Sequence, residues 1–413
     1  MTVNSILSNV VKLVAAVLIC TLHFGTSKFV SVQFFVFIVL VLDRLALFTA
    51  RSTPIRPLII FVLYLVIFVP LTMLAASDRQ GHWLTFAFRE GLGIWVVQSV
   101  SVQKRLPGGD RVLDFPKILA SGLTLALVMN AALGALQLLD VQFLHTGKFF
   151  VPSTFYSLDY GTLSDDLNQK FDKLFIRPSG FYSEPSALAA LGVLGFFASA
   201  DPTKRLRRIA SLMCIMLSFS LSGIAAFVLI YLYQLISRRD RNLKSVAIAL
   251  GSLLVVGSVL VAMNADRISK IGKLSDESTD ERIVAPVSFA ATSLATYPLG
   301  LDLDTARSLE QAKYGQHGMD NWFLRTLIQY GWLGPLLWVL AFSPLTMGEK
   351  ILFAVLGNFN GELFFYDRAV LLSAAITASR PKKNSPVQAI RQRISGSGNA
   401  DRPEAPLRPG APS

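Results

Sequence analysis

Apolar runs of membrane-crossing length alternate along this chain with short basic breaks and two long polar segments. A helix crosses a bilayer with roughly 17–25 such residues. On that rule the pattern predicts helices over residues 6–22, 29–48, 57–75, 83–100, 115–139, 245–263 and 322–342. One more begins at Glu184 and stops before Lys204-Arg205-Leu206-Arg207-Arg208. Pro185 suits its first turn, where a missing N–H is no loss.

The run over 209–236 does not fit a single crossing. Arg207 and Arg208 precede it, and Arg238, Arg239, Arg241 and Lys244 follow it. Basic loops mark the cytoplasmic side, so both ends belong there. The run is expected to turn back at Ser218-Phe219-Ser220-Leu221-Ser222-Gly223, as two half-spanning helices. The competing reading is one long tilted helix that breaks the charge rule. Broken backbone at membrane depth is tolerated only under a cover of protein or water. The run over 351–378 is interrupted by Asn358, Asn360, Glu362, Asp367 and Arg368, and reads as a second short hairpin.

Counting basic loops places both termini inside and two large segments, 140–183 and 264–321, outside. The fold class expected is an all-α polytopic membrane protein with about twelve transmembrane helices, some short and paired as hairpins. The apolar stretch at 283–295 is expected to be a helix along the membrane surface. Residues 1–379 form the membrane domain. Residues 380–413, rich in Pro, Gly, Ser and Arg, read as a disordered cytoplasmic tail. The first apolar run lacks a small-residue cleavage site and reads as a retained helix.

Composition agrees. Of 413 residues, 52% are hydrophobic and 16% charged, well below the charge of a soluble domain. The net charge is +12, and the basic residues cluster in short loops between apolar runs, so they report topology and not nucleic-acid binding. Cys20 and Cys214 both lie in apolar runs, which supports neither a disulfide framework nor a thiolate metal site.

Each outer segment ends in a charged motif as the chain re-enters the membrane. The first is Arg177-Pro178-Ser179-Gly180-Phe181-Tyr182-Ser183-Glu184-Pro185-Ser186. The second is His317-Gly318-Met319-Asp320-Asn321-Trp322-Phe323-Leu324-Arg325, with Arg282 and Tyr297-Pro298-Leu299-Gly300 upstream. Asn321 and Arg325, four apart, share a helix face. Arg177 taken alone is equally well read as an interfacial anchor, because arginine snorkels at helix ends. Arg89 and Glu90 lie at membrane depth in the fourth helix. Such groups are costly and face a bundle interior or water. With Asn321 and Arg325 they are candidates to line a polar cavity; the plainer alternative is neutralisation by each other or by neighbouring helices.

These motifs make the chain similar to the O-antigen polymerase and O-antigen ligase (Wzy-type) family of bacterial envelope glycan assembly. The resemblance runs from about the fourth helix to the end of the membrane region. It rests on Arg177, Gly180, Phe181, Pro185 and Ser186; on the break at Ser220-Leu221-Ser222-Gly223; on Arg282 before Pro298 and Gly300; and on Asp320-Asn321 before Gly331 and Gly334. Leu221 stands where the family carries an arginine, and Asp320 where the ligases carry a histidine, which favours a polymerase.

The resemblance implies a multi-pass glycosyltransferase of the bacterial inner membrane. It would join undecaprenyl-diphosphate-linked oligosaccharide repeat units at the periplasmic face, for an exopolysaccharide, capsule or O-antigen. Arg177 and Arg282 would bind the lipid diphosphate, since arginine offers a fixed cationic fork to phosphate oxygens. Glu184 and Asp320, with His317 behind them, are the candidates to take the acceptor hydroxyl's proton. Asp302-Leu303-Asp304 looks like a metal-binding Asp-x-Asp, but the family works without metal or other cofactor. Expected partners are the lipid-linked oligosaccharide, membrane lipid, a flippase and a chain-length regulator, and no nucleic acid. The alternatives are a ligase that passes lipid-linked glycan to another acceptor, a polysaccharide transporter or flippase, and a non-catalytic scaffold. No clear internal repeat of the kind many transporters show is seen.

Overall fold

A computed structural model describes residues 3–25, 30–49, 54–75, 80–103, 114–156, 177–200, 204–237, 251, 285–301, 305–306, 308–309, 321–358 and 363–380. The chain divides into Met1–Ser379 and Arg380–Ser413; beyond Arg380 the second unit lies outside the described residues, as do Asp302-Leu303-Asp304 and, Gly251 apart, the helix expected at 245–263.

The described residues are mostly helical. The helices are α1 Val3–Cys20, α2 Val32–Thr49, α3 Arg56–Ala75, α4 Gln80–Val102, α5 Phe115–Leu139, α6 Pro185–Phe197, α7 Arg205–Ser218, α8 Leu221–Ser237, α9 Ala285–Thr296, α10 Trp322–Tyr330, α11 Gly334–Phe342, α12 Met347–Gly357 and α13 Tyr366–Ser379. By length and composition two of the described helical stretches can cross a membrane unaided, Val32–Thr49 and Phe115–Leu144. Large apolar side chains stand exposed along α1 to α3, among them Leu7, Leu13, Phe35, Leu42, Ile59 and Val66. Water would penalise a surface of that kind, and lipid would not.

The core lies where α5 packs on α1, α7 and α13, and where α6 packs on α7. A Cβ on Gly122 of α5 would stand 2.5 Å from the Ala16 backbone N of α1. One on Gly192 of α6 would stand 2.8 Å from the Ser211 carbonyl O of α7. These small residues let the helix backbones approach closely.

The run over 209–236 does turn back. α7 ends at Phe219, whose φ of +48° is left-handed, and the Ser218 hydroxyl accepts the Ser220 N–H at 3.3 Å. Arg207, near the start of α7, donates to the Ala198 carbonyl. Gln234, near the end of α8, donates to the Phe196 and Phe197 carbonyls. Both ends therefore lie at the C-terminal end of α6, while Gly223, at the turn, abuts Ala189 one turn into it. The run over 351–378 is likewise divided into two short helices, α12 and α13. Ser101 at the end of α4 donates to Glu349 early in α12. The last turn of α13 meets Lys204 and Arg207 at the Ala378 carbonyl.

The stretch 322–342, expected as one helix, is broken. α10 stops at Tyr330, a 3-10 turn spans Gly331–Leu333, and α11 follows. Pro335, in the first turn of α11, cannot continue a helix, and the Pro298-Leu299-Gly300 segment fits its backbone into the break. Leu301 N–H donates to Ile328 O at 2.9 Å, and Trp332 N–H to Pro298 O at 3.0 Å. Gly331 (φ +56°) lies so close that a Cβ there would meet the Pro298 carbonyl O at 2.1 Å. The apolar stretch near 283–295 is helical as α9. Phe289 and Ala290 of α9 pack with Ile328, Leu301, Ala306 and Phe365 in a small core of their own.

Candidate active site

The first charged motif is held by two polar residues of α5. Asn130 and Gln137 lie two turns apart on that apolar helix, both fully buried. Gln137 Oε1 accepts the N–H groups of Ser179 and Gly180, each at 2.9 Å. Its Nε2 donates to the carbonyls of Gly180 at 2.9 Å and Phe149 at 3.3 Å. Asn130 Oδ1 accepts the Phe181 N–H at 3.1 Å. Gly180 is left-handed (φ +64°), and a Cβ there would meet Asn130 Oδ1 at 2.6 Å. The loop thus needs glycine for both conformation and space.

Beyond Phe181 the loop is locked from its other side. Tyr182 is fully buried and donates to the Ile19 carbonyl at 3.0 Å. Tyr156 donates to the Tyr182 carbonyl at 2.9 Å. Burial pushes both phenols above their ordinary range, so both stay donors. Glu184 is the N-cap residue of α6 and Pro185 its first residue. The Glu184 side chain makes no capping bond; it accepts from the Ser186 hydroxyl at 2.7 Å and is half-buried. Arg177 is half-buried at the start of the same loop.

His23, just past α1, faces this loop, and Ser183 Oγ lies 3.2 Å from its Nδ1. The other ring nitrogen, Nε2, is 3.2 Å from Asp367 Oδ2. Asp367 is also paired with Arg368. The His23 ring sits edge-on to Tyr182 with centroids 4.9 Å apart. His23 and Asp367 are 1% and 2% exposed, so this chain of polar groups is closed at its inner end.

The second motif meets the residues immediately before Asp367. Asn321 caps α10, accepting the Leu324 N–H at 3.1 Å, and donates to Asn358. It stands one turn before Arg325, whose N–H donates to the Asn321 carbonyl at 2.9 Å. Arg325 is 3.2 Å from Glu90 Oε1. Glu90 also accepts from Trp322 Nε1 at 2.8 Å, Tyr330 at 3.2 Å and Tyr64 at 3.3 Å. Arg89 instead stacks on Phe365 and Tyr366, at 4.3 Å and 4.9 Å from the ring centroids, and Arg325 lies 5.8 Å from the Phe365 centroid. The partner of Glu90 is therefore on α10, not its neighbour in sequence, and every lone pair of this buried carboxylate faces a donor, as burial of a charge demands.

Of the residues singled out in the sequence, Arg89, Glu90 and Arg325 come together, and Asn321 borders them at the start of α10. Arg177 and Glu184 share one anchored loop. Arg282, His317 and Asp320 lie outside the described residues. His23, Asn130, Gln137, Tyr64 and Tyr330 were not singled out. Asn130 and Gln137 had a signal, two amides seven apart in an apolar helix; His23 at the end of the first helix had none.

No curated protein and no solved structure matches this chain. Residues 10–375, nearly the whole membrane region, match the protein-family model described as WcaD colanic acid polymerase. The chain thus belongs to the WcaD colanic acid polymerase family, a Wzy-type family of membrane glycosyltransferases that polymerise polysaccharide repeat units.

Proposed function

We propose that this protein polymerises undecaprenyl-diphosphate-linked oligosaccharide repeat units at the periplasmic face of the bacterial inner membrane. One observation carries the placement of the site. Two motifs far apart in sequence meet the single stretch Phe365-Tyr366-Asp367-Arg368: the loop at 177–184 reaches it through His23, and Arg325 through the Phe365 ring.

In the reaction, the bond between the donor's anomeric carbon and its phosphate oxygen breaks. The acceptor sugar's oxygen takes its place, its proton passes to a base, and the lipid diphosphate leaves with the bonding pair. Negative charge grows on the diphosphate, and fixed cations placed there are often the largest catalytic factor. Arg177 and Arg282 fill that role, and Glu184 or Asp320 takes the proton, with His317 in support. A flippase supplies the lipid-linked unit, and a chain-length regulator is a natural companion.

The test uses purified variants supplied with lipid-linked repeat units, with product length read on a gel. Losing one such donor costs about 100–1,000-fold in rate, so Arg177→Ala and Arg282→Ala each nearly abolish the ladder. Arg→Lys restores it only in part, because lysine cannot form the bidentate bonds. Wild-type ladders from both Ala variants would return Arg177 to the role of an interfacial anchor.

A further inference from the structure

We infer that Ser183 is a hydrogen-bond acceptor for a hydroxyl of the incoming acceptor sugar, and that His23 is the positioning residue that makes it one. The inference rests on the polymerase reading and deepens it, since it assigns the acceptor half of the site.

A carboxylate can only accept hydrogen bonds. Asp367, bound by the Arg368 guanidinium, therefore obliges the His23 nitrogen that faces it, Nε2, to carry the hydrogen. In the neutral ring the other nitrogen, Nδ1, is then an acceptor. Ser183 Oγ, 3.2 Å away, has one hydrogen and two lone pairs. With the ring neutral, its hydrogen goes to Nδ1, and among the described residues no donor takes its lone pairs, which leaves them for a ligand.

The tautomer is held by packing as well as by charge. His23 and Asp367 are almost completely buried, and Tyr182, anchored to the Ile19 carbonyl, stands edge-on to the imidazole. Ser183, by contrast, is half-buried. The next residue, Glu184, is half-buried too, and its carboxylate also only accepts. Two neighbouring acceptors with no free hydrogen between them repel phosphate oxygens and attract O–H donors. That is the complement of a sugar hydroxyl. It also separates the duties within one loop: a cation at Arg177 for the diphosphate, and acceptors at Ser183 and Glu184 for the attacking sugar.

The experiment uses the full chain in proteoliposomes, with lipid-linked repeat units taken from cells that lack the polymerase. Ladder growth is followed against repeat-unit concentration, to separate KM from kcat. Losing one hydrogen bond to the substrate costs about tenfold in kcat/KM. Ser183→Ala is expected to show that loss, and Ser183→Thr, which keeps the hydroxyl, to recover most of it. Because His23 acts through Ser183, His23→Ala added to Ser183→Ala lowers kcat/KM no further, as a double-mutant cycle reads directly. A Ser183→Ala enzyme with unchanged kcat/KM overturns the inference. So does a His23→Ala loss that multiplies in full with that of Ser183→Ala, which would mark His23 as structural. The Ser183 pair decides the matter even if His23→Ala does not fold. A wild-type protein that makes no ladder would instead remove the polymerase reading itself, so the two failures are distinguishable.

Discussion

Gln137→Leu tests whether the α5 amides hold the Arg177 loop in its working form. Leucine fills a similar volume but makes no hydrogen bond. The Ser179 and Gly180 N–H groups, both bound at 2.9 Å to Gln137 Oε1, lose their acceptor, and the Gly180 carbonyl loses its 2.9 Å donor. Ser179 is 8% exposed, so water replaces these bonds only if the loop moves. Each buried group left without a partner costs about 1–3 kcal/mol, so the two N–H groups alone cost about 2 kcal/mol at the least. At 1.4 kcal/mol per factor of ten, that shifts the equilibrium between the native loop and its displaced forms about 30-fold toward the latter. The assay is ladder formation by equal amounts of purified protein, beside thermal unfolding in detergent. The expected result is a loss of polymerisation of up to about 30-fold with the helical bundle still assembled. Gln137→Glu falls between, because it keeps acceptors for the N–H groups but turns an oxygen toward the Gly180 and Phe149 carbonyls. Wild-type ladders from Gln137→Leu would refute the idea that loop geometry depends on this anchor.

Other outcomes can be stated in the same way. Glu90→Ala and Arg325→Ala should each destabilise the protein by about 3–5 kcal/mol, the cost of breaking a buried pair. The double variant should lose clearly less than the sum, and strict additivity in thermal unfolding would show that the pair is not coupled. Gly331→Ala forces a side chain into φ +56°, ψ −138°, a region nearly reserved to glycine, and sets a Cβ 2.1 Å from the Pro298 carbonyl. It should sharply reduce monodisperse protein on size exclusion. Topology reporters in 140–183 and 264–321 should read periplasmic, and those at Lys204, Arg239 and Arg380 cytoplasmic. A periplasmic signal at Arg239 would contradict the α7–α8 hairpin.

Much of this protein was legible in its sequence because a bilayer imposes simple local rules. Apolar runs predicted α1 to α5 to within a few residues. Basic clusters on both sides of one run were enough to predict that α7 and α8 turn back, which the contacts of Arg207 and Gln234 with the end of α6 bear out. Pro185 marked the start of α6 because proline tolerates the first turn of a helix. The motif residues Gly180, Gly300 and Gly331 were visible too, and their left-handed backbones account for them.

Tertiary structure alone decided who meets whom. Gly331, Gly334 and Pro335 mark a break inside Trp322 to Phe342 locally, but only the fold shows that the backbone of Pro298 to Leu301, from another part of the chain, fills it. Arg89 and Glu90 look like a self-neutralising pair. Yet adjacent residues on a helix point in different directions, so one stacks on Phe365 and the other binds Arg325. His23, Ser183 and Asp367 stand 160 and 344 positions apart in their two hydrogen bonds. Local pattern carries no information about contacts at that range. They are set by how helices pack, which is a property of the whole bundle and of no single stretch.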